Sequence, residues 1–153
     1  MVMCKLAPSI LAADFNRLGE QIKDVEEAGI RMLHLDVMDG QFVPALSFGM
    51  PLIASIRKES RLFFDVHLMI EEPMRYFKDL VEAGADGITF HAEACEDFEK
   101  TLACLKELPV KTGVSIRPDT SVEVIERWLE QFDMVLIMRV EPGFGGQELI
   151  PST

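Results

Sequence analysis

The sequence alternates between short apolar segments typical of β-strands and longer segments with helical periodicity, which limits the chain to few architectures. Six strand segments are predicted, each separated from the next by one helix: 5–11, 32–38, 62–67, 87–91, 111–116 and 134–140. Strands that alternate with helices form a parallel sheet with right-handed crossover connections. The Gly-x-Gly-x-x-Gly fingerprint of a dinucleotide-binding sheet does not follow the first segment. We therefore expect an α/β protein, and polar residues near strand ends favour a (β/α)8 barrel over a doubly wound sheet.

Two neighbouring strand segments each carry a histidine and a carboxylate two residues apart. His34 and Asp36 lie in the second predicted strand, and Asp65 and His67 lie in the third. Residues two apart in a strand point to the same face, and buried polar groups need hydrogen-bond partners or a ligand. A hydrogen-bonded structural pair is the simpler interpretation of one strand alone. The repetition in a second strand favours a shared polar site at strand ends, where α/β folds place their sites.

Composition sets the class of protein and excludes some partners. A chain of 153 residues with 48% hydrophobic and 27% charged residues is typical of one soluble globular domain. The net charge of −11 argues against a nucleic acid or an anionic membrane surface as partner, because both require basic patches. No segment approaches the roughly 18 apolar residues of a membrane span, and we expect no signal peptide. The three cysteines form no Cys-x-x-Cys pair, which favours reduced thiols and a cytoplasmic location.

A glycine-rich loop, Pro142 to Gly146, follows the last predicted strand. Glycine lets backbone N–H groups approach an anion closely, although a plain turn explains such a loop equally simply. His91 ends the fourth predicted strand, and a hydrogen-bonded structural histidine is the default interpretation there. Taken alone, neither the loop nor His91 indicates a function.

Six motifs, taken together and in this order, resemble the ribulose-phosphate 3-epimerase family. They are A-P-S-I-L-A-A-D-F at 7–15, H-L-D-V-M-D-G at 34–40, F-V-P at 42–44, D-V-H-L-M at 65–69, T-F-H-A-E-A at 89–94 and V-E-P-G-F-G-G-Q at 140–147. The resemblance implies a TIM (β/α)8 barrel that interconverts D-ribulose 5-phosphate and D-xylulose 5-phosphate in the pentose phosphate pathway. It also implies a divalent metal cation, for which zinc, iron(II), manganese or cobalt would suit imidazole and carboxylate ligands.

The resemblance also implies roles for individual residues. His34, Asp36 and His67 would be metal ligands, and Asp36 would be the catalytic base as well. Ser9 and His67 would contact the substrate. The sugar-phosphate site would be lined by residues of the glycine-rich loop: Gly143, Phe144, Gly145 and Gly146. These residues match the chemistry, because epimerisation beside a ketone needs a base to remove a proton and a cation to stabilise the ene-diolate.

Further residues match the family less specifically. Met38, Met69 and Met138 correspond to methionines that wall the reacting carbon, although plain core packing is an equal alternative. Asp65 lies on the same face as His67 and could orient its imidazole, although an ordinary carboxylate at a strand end is as simple an interpretation. We expect a homo-oligomer with a small sugar phosphate as its substrate.

The number of strands departs from the family pattern. A closed barrel has eight strands, and the family's Val-Asp-Gly-Gly motif, with a second catalytic aspartate, belongs to its seventh strand. We therefore expect residues 1–153 to form one partial barrel domain, truncated after the sixth strand. Three alternatives stay open: an epimerase of a six-carbon ketose phosphate such as allulose 6-phosphate, an inactive fragment with part of the site, and a metal-dependent hydrolase. The third is disfavoured because the His-x-His of such hydrolases is replaced by Pro8-Ser9-Ile10.

Overall fold

Five parallel strands lie side by side in chain order in the computed structural model, which describes residues 4–151. The strands are β1 (Met32–Met38), β2 (Phe63–Met69), β3 (Gly87–His91), β4 (Lys111–Ile116) and β5 (Met134–Ile137). The helices are α1 (Leu18–Glu27), α2 (Met50–Arg57), α3 (Phe77–Ala83) and α4 (Phe98–Lys106). A strictly sequential strand order is that of a barrel, because a doubly wound sheet reverses its order at a switch point. The fold is a partial (β/α)8 barrel, as predicted.

The first predicted strand, 5–11, is wrong as a regular strand. Ser9 makes a single parallel bridge to His34, whose N–H donates to the carbonyl of Pro8 at 2.9 Å. The segment stops pairing there because a 3-10 helix, Ile10–Ala12, begins directly after Ser9, whose hydroxyl accepts from the N–H of Leu11. The sheet therefore has five regular strands where six were predicted, but the bridge still places Ser9 beside β1.

Other element boundaries differ by a few residues for local reasons. The helix between β3 and β4 begins at Phe98, because Asp97 caps it by accepting from the N–H of Lys100. In place of the single helix predicted between β4 and β5, the chain forms two 3-10 segments, Val122–Val124 and Glu126–Gln131. Ser121 caps the first of these by accepting from the N–H of Glu123. A further 3-10 turn, Pro73–Tyr76, precedes α3.

The two faces of the sheet have different characters. Leu33, Leu35 and Val37 of β1 are buried in the main apolar core, which also contains Ile53 and Ile56 of α2. The intervening residues of β1 and β2 point to the opposite face, which in a closed barrel is the interior. This confirms the period-two prediction for β1, and it separates the packing face from the face that carries histidines and carboxylates.

Aspartates before two strands help to fix the sheet register. Asp86, directly before β3, accepts from the N–H of Phe64 and from Arg57 of α2, both at 2.8 Å. Asp133, directly before β5, accepts from the N–H of Thr112 at 2.9 Å and from Lys111. Each aspartate therefore ties the start of its own strand to the preceding strand. Among the described helices, none is both long enough and apolar enough to cross a bilayer.

Candidate active site

The register of β1 and β2 brings four polar side chains into two facing pairs. His34 lies opposite Asp65, and Asp36 lies opposite His67. Because the strands are parallel and in register, all four side chains project to the interior face of the sheet. His67 and Asp65 are almost fully buried, and Asp36 is 9% exposed. The local alternation of the sequence is therefore enough to build the base of the site.

Three ligand-type atoms of this group form a nearly equilateral triangle. His34 Nε2 lies 3.2 Å from Asp36 Oδ1 and 3.2 Å from His67 Nδ1, and the third side, His67 Nδ1 to Asp36 Oδ1, is 3.0 Å. Metal–ligand distances of about 2.1 Å place neighbouring ligands about 3.0 Å apart in an octahedron and about 3.4 Å apart in a tetrahedron. The three atoms thus fit one face of a divalent cation's coordination shell, and they form the cluster of His and Asp ligands found in the described residues.

The electrostatics of the triangle favour a positive charge. Burial alone would lower the pKa of His34, but hydrogen bonds to Asp36 and Asp65 and the charges of these carboxylates raise it to about 10. For Asp36, burial opposes ionisation, yet its close contacts with the imidazoles of His34 and His67 hold its pKa well below the ordinary value. In the absence of a metal a proton on His34 Nε2 therefore supplies the positive charge, and a cation has to displace that proton to bind.

Burial keeps the imidazole of His67 neutral. Desolvation lowers the pKa of His67 to about 4, and the neighbouring carboxylate of Asp36 only partly opposes this. A neutral imidazole has a lone pair on one nitrogen and a proton on the other, so it can be a metal ligand. The donor set is thus two imidazoles and one carboxylate, which suits zinc, iron(II), manganese or cobalt.

Ser9 holds the other carboxylate oxygen of Asp36. Its hydroxyl donates a short hydrogen bond to Asp36 Oδ2 and accepts from the N–H of Leu11 at 3.1 Å. The two oxygens of Asp36 therefore have separate surroundings: Oδ1 belongs to the triangle, and Oδ2 faces the serine. This arrangement lets one carboxylate act as a ligand through one oxygen and as a base through the other.

A cavity of about 550 Å³ opens above the triangle. It is lined by every residue predicted for the site: Ser9, His34, Asp36, His67, Gly143, Phe144, Gly145 and Gly146. The three methionines predicted to wall the reacting carbon, Met38, Met69 and Met138, also line this cavity. Motifs from both ends of the chain are therefore assembled around one space.

The glycine-rich loop closes over this cavity in a conformation that requires glycine. Gly143 has a φ of +112°, and a Cβ there would lie 2.9 Å from the Cβ of Val43. Gln147 stabilises the loop by donating to the carbonyls of Glu141 and Phe144 at 2.6 and 2.8 Å. The loop therefore presents uncharged backbone to the cavity, which is the surface that glycine-rich loops use to bind anions.

Comparison with known proteins agrees with this arrangement. Residues 5–153 match the model of the ribulose-phosphate 3-epimerase family. The chain belongs to the ribulose-phosphate 3-epimerase family. It is 51% identical over 150 residues to the ribulose-phosphate 3-epimerase of Bacillus subtilis, covering 98% of this chain and 69% of the relative. It is 48% identical over 149 residues to that of Synechocystis sp., covering 96% of this chain and 65% of the relative.

The chain thus spans about two thirds of the length of the curated epimerases that it matches. Among solved structures, 3-keto-L-gulonate-6-phosphate decarboxylase from Vibrio cholerae has a TM-score of 0.62 at 16% identity. The alignment covers 85% of this chain and 59% of that enzyme. At this identity the likeness concerns the fold alone, and it agrees with a partial barrel.

Asp65 has a different partner from the one that the sequence suggested. Asp65 orients His34 rather than His67: its Oδ2 lies 2.8 Å from His34 Nδ1, and its Oδ1 accepts from the hydroxyl of Thr89. The reason is the parallel register, which pairs Asp65 with the residue opposite it instead of its neighbour two positions along the same strand. His91, expected to be structural, lies 2.9 Å from His67 Nε2. Its position two residues after Thr89, at the end of the next strand, was the available signal.

Proposed function

We propose that the protein is a metal-dependent epimerase acting at C3 of D-ribulose 5-phosphate to form D-xylulose 5-phosphate. The single observation that supports this most is the triangle of His34 Nε2, Asp36 Oδ1 and His67 Nδ1, with sides of 3.0 to 3.2 Å, at the base of the cavity. Family membership supports the reaction class, and the triangle supports the metal requirement. We assign residues 1–153 to one partial barrel domain.

His34, Asp36 and His67 would hold the divalent cation. When bound, the cation would supply positive charge where negative charge develops on the substrate oxygens, a contribution of several kcal/mol. Asp36, kept ionised by its histidine partners, accepts the C3 proton. Ser9 directs its hydroxyl to Asp36 Oδ2, which fixes the rotamer of the carboxylate.

The rest of the cavity positions the substrate and limits the access of water. Met38 and Met69 are buried beside the triangle and exclude water from the reacting carbon. The backbone of the glycine-rich loop, which lines the same cavity, binds the phosphate. A cytoplasmic location, a homo-oligomeric state and a place in the pentose phosphate pathway remain predictions.

The experiment follows proton exchange and epimerisation separately. Protein loaded with Co²⁺ or Mn²⁺ is incubated with D-ribulose 5-phosphate in D₂O, and deuterium at C3 and D-xylulose 5-phosphate are measured by NMR. We expect Asp36→Asn to lower both by about 10²–10⁴-fold, because an amide cannot accept the proton. Asp24→Asn, an equal change of charge at an exposed site of α1, is the matched control.

Each outcome decides between the alternatives. Exchange together with product supports the proposal in full, and exchange without product supports Asp36 as the base but refutes net epimerisation by this chain. Neither exchange nor product in the metal-loaded protein refutes the proposal and favours an inactive fragment. A higher kcat/KM with D-allulose 6-phosphate than with D-ribulose 5-phosphate would refute the five-carbon substrate.

A further inference from the structure

A second series of hydrogen bonds reaches the triangle from the end of β3. His91, the last residue of β3, is fully buried, and its Nε2 lies 2.9 Å from His67 Nε2. The two rings are stacked, with centroids 5.0 Å apart and planes inclined by 29°. Two imidazole nitrogens at this distance share one proton between them, so one donates and the other accepts.

Glu93 decides which nitrogen donates. Its Oε2 lies 3.3 Å from His91 Nδ1, and its Oε1 accepts from the N–H of Arg117 at 2.7 Å. A carboxylate that is ionised can only accept hydrogen bonds, so the proton between them belongs to His91 Nδ1. His91 then presents a lone pair at Nε2, and His67 must donate its Nε2–H to it.

We propose that His91 and Glu93 are positioning residues that fix the tautomer of His67 so that its Nδ1 lone pair faces the metal. This inference rests on the proposed metal site. It follows from the order of hydrogen bonds: Glu93 accepts from His91, and His91 accepts from His67. His67 Nδ1 is therefore left without a proton, and in the metal-free protein it accepts from the Nε2–H of His34, 3.2 Å away, at the corner of the triangle where a ligand atom is needed.

The surroundings protect this chain of hydrogen bonds from water. The ring of Phe42 lies against His91, with centroids 4.9 Å apart, and the guanidinium of Arg117 lies 4.3 Å from the centroid of that ring. Arg117 also donates to the carbonyl of Phe42 at 3.0 Å. Because the pair is covered in this way, water cannot readily replace His91 as the acceptor for His67.

Two independent measurements test the inference. In the metal-free protein, ¹⁵N chemical shifts of the imidazole rings report which nitrogen of His67 carries the proton. Titration with Co²⁺, followed by visible absorption, reports metal affinity without requiring turnover. We expect His67 to be the Nε2–H tautomer in the wild-type protein and to gain Nδ1–H population in His91→Phe. We expect Co²⁺ affinity to fall by about 10–100-fold in that variant.

Conservative and control variants separate positioning from folding. His91→Gln has an amide oxygen that can accept from His67, so it should recover most of the affinity lost in His91→Phe. Glu93→Ala removes the acceptor for His91, and it should weaken Co²⁺ binding as well. Glu99→Ala, on the exposed surface of α4, is the matched control and should bind Co²⁺ as the wild-type protein does.

The outcomes also separate this inference from the proposed function. An Nδ1–H tautomer of His67 in the wild-type protein would overturn the inference. So would unchanged Co²⁺ affinity in a folded His91→Phe, or in Glu93→Ala if His91→Phe does not fold. If the wild-type protein binds no Co²⁺, the proposed metal site fails, and the ¹⁵N shifts of the metal-free protein still decide the tautomer.

Discussion

Gly113→Ala tests whether close packing in the sheet supports the candidate metal ligands. Gly113 of β4 lies directly opposite Thr89 of β3. A Cβ at Gly113 would lie 2.2 Å from Thr89 Oγ1, 3.0 Å from its Cβ and 3.2 Å from its Cα. Thr89 is fully buried and donates from that hydroxyl to Asp65, the residue that orients His34. A single added methyl group should therefore disturb both the core and the site.

Three contributions determine how much Gly113→Ala changes the free energy of unfolding. Overpacking costs about 1–3 kcal/mol, and loss of the Thr89 hydrogen bond to a carboxylate costs about 1.5–3 kcal/mol. Replacing glycine in a strand stabilises by about 0.5–1 kcal/mol. We expect Gly113→Ala to lower the free energy of unfolding by about 1.5–5.5 kcal/mol, measured by urea denaturation followed by circular dichroism.

A double-mutant cycle with Thr89→Ala identifies the cause of that loss. Thr89→Ala removes the atom 2.2 Å away, so Gly113→Ala should cost about 1–2 kcal/mol less in the Thr89→Ala background than in the wild-type protein. Effects that add within about 0.5 kcal/mol would show that Gly113 and Thr89 are not coupled and would refute the reasoning. The single variant should also bind Co²⁺ more weakly, because Asp65 loses one of its two hydrogen bonds.

Three further predictions concern the site and the sheet. Asp65→Asn should weaken Co²⁺ binding by about 10–100-fold, because His34 loses its charged acceptor; equal affinity in an optical titration would contradict this. Gly143→Ala should raise KM for the sugar phosphate about tenfold, since φ is +112° and the new Cβ would lie 2.9 Å from Val43; an unchanged KM in a steady-state assay would contradict it. Hydrogen bonds from Lys111 and from a backbone N–H lower the pKa of Asp133. Its contribution to stability is therefore present above the ordinary carboxyl pKa of about 3.9 and lost as pH falls below it, so Asp133→Asn should flatten the acid limb of urea midpoint against pH.

Much of the fold could be predicted because short apolar strand segments alternate with helical segments along most of the chain. β1, β3 and β4 have the predicted bounds, since apolar residues facing the helices and turn residues at the ends define them. The segment 5–11 could not be predicted, because its conformation depends on two competing hydrogen bonds at one residue. Ser9 both bridges to β1 and caps a 3-10 helix, and only the folded chain shows how far each extends.

The site was predictable where strand alternation determines which residues share the interior face, and unpredictable where it depends on which residues of neighbouring strands lie opposite each other. His34, Asp36 and His67 converge as the alternation requires, because β1 and β2 are neighbours. The partner of Asp65 depends on register, which the sequence of a single strand does not specify. The contact between His67 and His91 depends in the same way on the pairing of β2 with β3.

The charges around the triangle also set the direction in which a phosphorylated substrate can bind. Asp36, Asp65 and Glu93 place three carboxylates in contact with the three histidines, of which His34 and His67 line the cavity together with Asp36. A divalent cation leaves this group at about neutral or negative charge, so the base repels a phosphate dianion. The loop around Gly143 and Gly146 also lines the cavity, where its glycines offer backbone, and the one carboxylate residue of the lining near it is Glu141. We therefore expect the phosphate to bind at that loop and the ketone carbon to lie at the cation, which brings the C3 proton to Asp36.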